Sequence, residues 1–289
     1  MLDILKSVIL GLIEGITEWL PISSTGQIKL FGLFLDFKNL GFETEEQLTA
    51  FCDMYDYVIQ LGAIMAVVVM YWNKLWPFVS KEKGYIKRKS LMIWSKVIVA
   101  MIPAGIAGLL LDDLVEALLG EGKIEATVIS STLILYGILF IVIECINAKR
   151  KPKIISMKAL TYKDALLIGL FQVLSIIPGT SRSGSTILGA MILGVSRTVA
   201  AEFSFFLAVP VIFGASLLKI AKYTLEYGFL DNGLAVVVLV VGTIISFVVS
   251  ILAIKFLMRY IKKKDFKVFG YYRIGLGILV LIYFWMLVK

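Results

Sequence analysis

The sequence predicts an all-α integral membrane protein: six transmembrane helices plus two re-entrant helix-loop-helix hairpins, arranged as an inverted-topology repeat. Three observations carry this expectation. The 289 residues are 59% hydrophobic and only 17% charged, too apolar and too poor in charge for a water-soluble domain. Six stretches, at about 56–73, 92–111, 126–146, 203–222, 233–256 and 268–288, approach the ~20 apolar residues that cross a bilayer. Two more apolar regions, 3–34 and 162–194, are each broken in the middle by Gly, Pro and hydroxyl residues.

The first broken region is interrupted at Pro21-Ile22-Ser23-Ser24-Thr25-Gly26, and three spans follow it. The second is interrupted at Pro178-Gly179-Thr180-Ser181-Arg182-Ser183-Gly184, and three more spans follow. Each half of a broken region is too short to cross a bilayer. Irregular backbone at membrane depth is tolerated where protein or a watery cavity covers it, so each region reads as a hairpin rather than one kinked helix.

The two regions also resemble each other. Gly11-Leu12-Ile13-Glu14 matches Gly169-Leu170-Phe171-Gln172, Thr17 matches Ser175, and the two interruptions align with one residue inserted in the second. The chain is therefore one membrane domain of two repeats, about 1–147 and 162–289. A hairpin returns to the side it entered whereas three spans change sides, so parity alone inverts the second copy. Such repeats place their site where the broken helices meet near the midplane.

Loop charge tests the topology separately. Lys74, Lys81, Lys83, Lys87, Arg88 and Lys89 lie between two spans; Lys149, Arg150, Lys151, Lys153, Lys158 and Lys163 precede and enter the second hairpin; Arg259, Lys262, Lys263, Lys264 and Lys267 separate the last two spans. All three clusters fall on one side, expected to be cytoplasmic. The acidic segments with Glu43, Glu45, Glu46 and Asp53, and with Asp112, Asp113, Glu116, Glu121 and Glu125, fall opposite. Both termini and the mouth of the first hairpin are then expected outside.

The net charge of +8 follows from those loop clusters, so no nucleic-acid partner is expected; the partner is the bilayer. With no His in the chain, His-based catalysis and His-ligated metal are excluded. Cys52, placed in a polar loop, and Cys145, in an apolar run, show no metal or disulfide spacing. The first apolar run carries acids and lacks a basic leader and a cleavage site, so it does not read as a removable signal.

Glu14 and Glu18, four residues apart, project from one helix face. Two carboxylates in an apolar helix are costly unless they are paired, metal-bound or facing water. A salt bridge to Arg182 or Lys29 would account for one of them. Hard cations such as Mg²⁺ or Ca²⁺ prefer oxygen ligands and are often shared between carboxylates and substrate phosphates, so Glu14 and Glu18 are the candidate metal ligands. The broken segments at Ser23-Ser24-Thr25-Gly26 and at Ser181-Arg182-Ser183-Gly184 expose helix N-termini that suit an anion. Arg182 adds a planar cationic fork for phosphate oxygens. Together these parts indicate a phosphorylated amphiphile, handled by a lipid phosphatase or a phospholipid-like transporter.

EGITEWLPISSTG and PGTSRSGSTILGAMILGVSR resemble the two signatures of the bacterial undecaprenyl-pyrophosphate phosphatases, the bacitracin-resistance family. Val58–Ile64, Glu202–Pro210 and Tyr272–Gly277 are similar to that family as well, so the likeness runs over nearly the whole chain. The resemblance implies hydrolysis of undecaprenyl pyrophosphate to undecaprenyl phosphate and phosphate, which recycles the carrier lipid for peptidoglycan synthesis and confers bacitracin resistance. It implies a divalent metal (Mg²⁺ or Ca²⁺) and an outward-opening site in the bacterial cell membrane; a homodimer is a candidate assembly that the sequence does not decide. Carried over by position, Glu14 and Glu18 form the acidic motif, Ser24 is the essential serine, and Ser181, Arg182 and Thr186 belong to the second loop. Ser23, Thr25, Gly26, Gln27, Gln60 and Ser183 complete the expected phosphate-binding set.

The chain departs from the family at Gln27, where a His is usual. Glutamine can hydrogen-bond phosphate but cannot shuttle a proton near neutral pH. That leaves Ser24 or a metal-bound water as nucleophile and Glu18 as base, with Ser24 preferred because hydroxyls and carboxylates cluster. The competing reading is a polyprenyl-phosphate carrier or flippase without hydrolysis, since broken helices in inverted repeats are typical of transporters. Glu14, Glu18, Ser24 and Arg182 together favour chemistry, because transport needs no nucleophile.

Overall fold

In the computed structural model, residues 1–24, 27, 35, 37, 40–78, 86–119 and 123–286 are described, with only the backbone for 112, 113, 116 and 119. Thr25, Gly26 and nearly all of the second arm of the first hairpin lie outside the described residues. The elements in order are α1 (Leu2–Thr17), α2 (Glu45–Met70), a one-turn helix Trp72–Leu75, α3 (Arg88–Leu119), α4 (Lys123–Asn147), α5 (Tyr162–Val173), a 3₁₀ turn Leu174–Ile176, α6 (Arg182–Ile192), α7 (Arg197–Tyr227), α8 (Gly233–Ile261) and α9 (Lys267–Met286). Apart from two isolated bridges, Phe78 with Ile86 and Ile154 with Val195, the regular structure described is helical.

Six helices are long and apolar enough to cross a membrane: Glu45–Met70, Arg88–Leu111, Lys123–Asn147, Arg197–Tyr227, Gly233–Ile261 and Lys267–Met286. They correspond to the six spans read from the sequence, and their ends differ for local reasons. α2 begins at Glu45, well before residue 56, because the Thr44 hydroxyl caps it by accepting from the Gln47 amide. Glu45 and Glu46 in its first turn complement the helix dipole. Glu45, Glu46, Asp53 and Cys52, the last expected in a polar loop, therefore lie on this helix, with Glu43 just before its Thr44 cap. α3 likewise continues to Leu119 rather than stopping near 111.

Each of these helices is apolar all round, because its outer face meets lipid rather than water. In α8 the buried positions are Ala235, Val238, Gly242, Ser246, Ser250, Ala253, Ile254, Leu257 and Ile261, a stripe rich in small residues, while Val240, Ile244, Val248 and Leu252 face outward. Lipid tails compete with apolar side chains, so close backbone approach rather than oil-water partition drives helix association here. α1 exploits this stripe: a side chain at Gly11 would run into the Gly242 carbonyl at 2.6 Å. α4 and α9 cross with the same economy and reciprocally, since a side chain at Gly137 would meet the Gly270 carbonyl at 2.7 Å and one at Gly270 the Gly137 carbonyl at 2.7 Å.

The neighbours pair in a pattern. α1 packs on α8, α5 packs on α3, α2 packs on α7, and α4 packs on α9. α5 and α6 form a helix-loop-helix unit closed by contacts between its arms, opened by a Thr161–Asp164 capping box and turned through Gly179 and Ser181, both with positive φ.

Glu144 stands near the end of α4. It is fully buried, and the Arg197 guanidinium grips both of its carboxylate oxygens while the Phe266 amide donates to it at 2.9 Å. A carboxylate near the end of a span can be buried because its charge and lone pairs are met there. Glu202 instead pairs with the largely exposed Lys74 at 2.5 Å.

Candidate active site

The α1 helix delivers Glu14 in its last turn, and Glu18 follows as its C-cap with the Glu18 amide donating to the Glu14 carbonyl at 3.0 Å. Both acids are buried, in part because Trp19 anchors the turn beside them. Its ring is fully buried edge-on to Phe205 of α7, with centroids 5.2 Å apart.

The chain then turns through Ser23, whose φ is +72°, and the second hairpin turns through Ser181, whose φ is +71°. These serines align in the two interruptions. A non-glycine residue in the left-handed region is uncommon and concentrates at functional sites. At each of them the backbone reverses so that a new helical turn starts immediately afterwards: Gln27 donates its amide to the Ser23 carbonyl at 3.3 Å, and Ser185 to the Ser181 carbonyl at 2.9 Å. The Ser181 hydroxyl caps α6 by accepting from the Gly184 amide at 3.1 Å. The α6 N-terminus thus directs its positive end at the first hairpin.

The two interruptions meet at Glu18. Arg182 Nη2 donates to Glu18 Oε1 at 2.7 Å, and Ser24 Oγ donates to Glu18 Oε2 at 2.7 Å. Ser183 Oγ donates to the Glu18 carbonyl at 3.1 Å. Arg182 Nη1 reaches the Ser204 carbonyl of α7 at 3.1 Å, which fixes the plane of the guanidinium. Thr186 is fully buried; its hydroxyl lies 2.6 Å from Ser204 Oγ and 2.9 Å from the Arg182 carbonyl. Ser181 and Ser183 hydroxyls are 3.2 Å apart.

Gln27 is buried; its carboxamide oxygen accepts from the Tyr272 hydroxyl at 3.2 Å and its amide donates to the Ile22 carbonyl at 3.4 Å. The Ser23 hydroxyl is buried with no partner among the described residues. Gln60 stands half-buried on α2 and shares no hydrogen bond with the others among the described residues. Thr25 and Gly26 lie outside the described residues.

Two further residues hold the site without having been singled out individually in the sequence. Arg273 of α9 is fully buried and donates to three backbone carbonyls: Pro21 at 3.2 Å, Gly179 at 2.8 Å and Thr180 at 3.0 Å. Its guanidinium lies over the Tyr136 ring, 5.3 Å from the centroid, a cation–π contact. One side chain therefore ties both hairpin loops together. Ser204 is the second, accepting from Arg182 on its carbonyl and sharing a hydrogen bond between its hydroxyl and that of Thr186. Arg273 stands in the family-like segment Tyr272–Gly277, and a lone Arg in an apolar span was the available signal.

Glu14 tests whether a cation fits. Both of its carboxylate oxygens are buried without a hydrogen-bond partner among the described residues, and Asp56 of α2 is within electrostatic reach. A bare buried carboxylate is a strong demand for positive charge. Among the described residues no group of three or more acidic or Cys side chains gathers around one point. The donor set thus fits a hard cation held by one or two carboxylates and completed by substrate oxygens.

Chemically, a hydroxyl that donates to a carboxylate is an oxygen nucleophile next to a base, and the same carboxylate orients an arginine fork. Fold and site together define a multi-pass helical membrane protein with a buried acid–serine–arginine centre between two broken helical segments. The bacitracin resistance protein BacA family model matches residues 7–279, and the chain belongs to that family. It is 54% identical over 284 residues, 98% of each chain, to the undecaprenyl-diphosphatase of Lactiplantibacillus plantarum. It is 51% identical over 284 residues, again 98% of each, to that of Acetivibrio thermocellus, and 52% identical over 283 residues, 97% of each, to that of Enterococcus faecalis.

Proposed function

We propose that the protein is an undecaprenyl-diphosphatase: it hydrolyses undecaprenyl pyrophosphate to undecaprenyl phosphate and inorganic phosphate. Family membership over nearly the whole chain supports the activity. The observation that carries the mechanism is the sharing of Glu18 between Ser24 and Arg182.

The terminal phosphoryl group lies against the α6 N-terminus, with the Arg182 fork on its oxygens. Ser24 Oγ attacks the terminal phosphorus while Glu18 takes its proton. The bond to the bridging oxygen breaks and undecaprenyl phosphate leaves with that oxygen. Glu18 passes that proton to the departing phosphate oxygen; water then attacks the phosphoserine as Glu18 accepts its proton, the Ser24 Oγ–phosphorus bond breaks, and Glu18 returns the proton to Ser24 as phosphate departs. Ser23, Thr25, Gly26, Gln27, Gln60, Ser181, Ser183 and Thr186 complete the phosphate environment, Thr186 by holding the Arg182 turn against α7. Glu14, together with Glu18, would hold Mg²⁺ or Ca²⁺; such a cation supplies neutralisation of phosphate charge.

The pairing of α1 with α8 and of α5 with α3 supports the two-repeat reading, because each is the first arm of one repeat against the second span of the other. In the same reading both hairpins are re-entrant, the basic loops face the cytoplasm, and the site opens outward in the bacterial cell membrane. A homodimer is part of the same proposal, and the mass of the purified particle tests it. A carrier without hydrolysis is disfavoured by the Ser24–Glu18 bond, which transport does not require. The deciding experiment is phosphate release from undecaprenyl pyrophosphate by the purified protein with Mg²⁺ or Ca²⁺ and with chelator. Metal-dependent release supports a phosphatase, whereas binding without release makes the protein a carrier.

A further inference from the structure

Away from this site, the last turn of α6, the start of α7 and the segment after α4 enclose a cavity of about 610 Å³. Arg150, Lys151, Lys153, Arg197 and Lys262 line it, and among the described residues lining it there is no Asp or Glu. Arg197 is already matched by Glu144, so the other four cations remain uncompensated by any wall residue. A concave cluster of one sign focuses its potential and concentrates counter-ions.

The cavity is built rather than incidental. Lys153 and Ile154 donate their amides to the Gly194 carbonyl at 2.9 and 3.1 Å, and Ser196 returns its amide to the Ile154 carbonyl at 2.8 Å. Asn147 Nδ2 adds a bond to the Met191 carbonyl at 3.2 Å. The basic segment is thereby fixed against the N-terminus of the 31-residue α7. That end carries a second sign of a missing ligand. Its N-cap Ser196 makes no capping bond, and the Ser196 hydroxyl oxygen is buried with no partner among the described residues. Positive helix end, hydroxyl and cations line one cavity, a chemistry suited to phosphate.

The rest of the lining is largely apolar: Met191, Leu193, Val195 and Ile261 contribute, and Ile192 adds an exposed apolar side chain. A free anion has no use for apolar lining; an amphiphile does. We propose that this cavity binds the phosphate headgroup of an anionic membrane lipid, with the chains running along the apolar edge. The site is separate from the Glu18 centre and does not depend on the proposed hydrolysis.

The test uses the full chain purified in detergent, with native mass spectrometry counting retained phosphatidylglycerol. The wild type is expected to retain phosphatidylglycerol over phosphatidylcholine. Arg150→Gln/Lys151→Gln/Lys153→Gln should weaken retention by about tenfold or more, since each surface cation near a membrane contributes about 1 kcal/mol. Thr198→Glu puts a carboxylate in the first turn of α7, where the helix dipole favours it, so its melting temperature should hold while retention falls. Unchanged retention in both variants overturns the proposal. Displacement of the lipid by inorganic phosphate at equal concentration would reassign the cavity to a free anion and overturn the lipid assignment.

Discussion

Glu18 and Arg182 meet at 2.7 Å although 164 positions separate them in the chain. The first broken segment contributes the carboxylate and the second the guanidinium, so the centre exists only when the two are assembled. Ser24 occupies the other oxygen of the same carboxylate, and one side chain thus joins the proposed nucleophile to the proposed phosphate clamp. Arg182→Lys keeps the charge but loses the fork that reaches Glu18 and the Ser204 carbonyl at once. Phosphate release should fall by about 10²-fold or more, and wild-type kcat/KM in that variant would remove Arg182 from the phosphate.

Arg273 is expected to act through position rather than chemistry. Arg273→Met leaves the carbonyls of Pro21, Gly179 and Thr180 without their donor, and unsatisfied buried groups cost roughly 1–3 kcal/mol each. The variant should melt well below the wild type in detergent and lose activity with it. Arg273→Lys should recover only part of the stability, because one ammonium cannot span three carbonyls in two loops. An unchanged melting temperature in Arg273→Met would show that the loops are held elsewhere.

Gln27 cannot titrate, so it contributes no ionisation to the rate. Gln27→His is expected to remain active and to introduce a new inflection near pH 6.5, the ordinary histidine range. Below it the imidazolium adds a positive charge next to the phosphate; above it a neutral ring replaces the carboxamide. A pH–rate profile identical to that of the wild type would mean that the side chain at 27 does not sense the reacting group. Tyr272→Phe removes the hydroxyl that donates to Gln27 and should lower turnover by less than about tenfold, since one neutral hydrogen bond contributes about 1 kcal/mol.

The proposed metal site rests on Glu14. Glu14→Gln removes one buried charge while preserving shape, so the Mg²⁺ or Ca²⁺ concentration needed for half-maximal activity should rise by about tenfold or more. Stability in chelator should rise too, because an unpaired buried carboxylate is relieved. An unchanged metal titration would assign Glu14 another role.

Much of this was legible from the sequence, and what was not has physical causes. Hydropathy located six spans because lipid demands apolar length, yet it missed the first turns of α2, where Thr44, Glu45 and Glu46 make a polar but well-capped helix start. The acids, Ser24 and Arg182 stood out because charge and hydroxyls are rare among apolar neighbours. Arg273 was harder: its partners are carbonyls, identical at every residue, and those of Pro21 and Gly179 lie 252 and 94 positions away. Ser23 and Ser181 were read as hydroxyl donors, whereas their left-handed backbone, which no composition signals, turns the two loops towards Glu18.

The account rests most heavily on Ser24 donating to Glu18, and phosphate release from undecaprenyl pyrophosphate by the Ser24→Ala variant measures it directly. Loss of the hydroxyl should reduce turnover by about 10³-fold or more while the variant still binds the lipid and keeps the wild-type melting temperature. Turnover within a few-fold of the wild type would contradict it and would make water, rather than Ser24, the nucleophile.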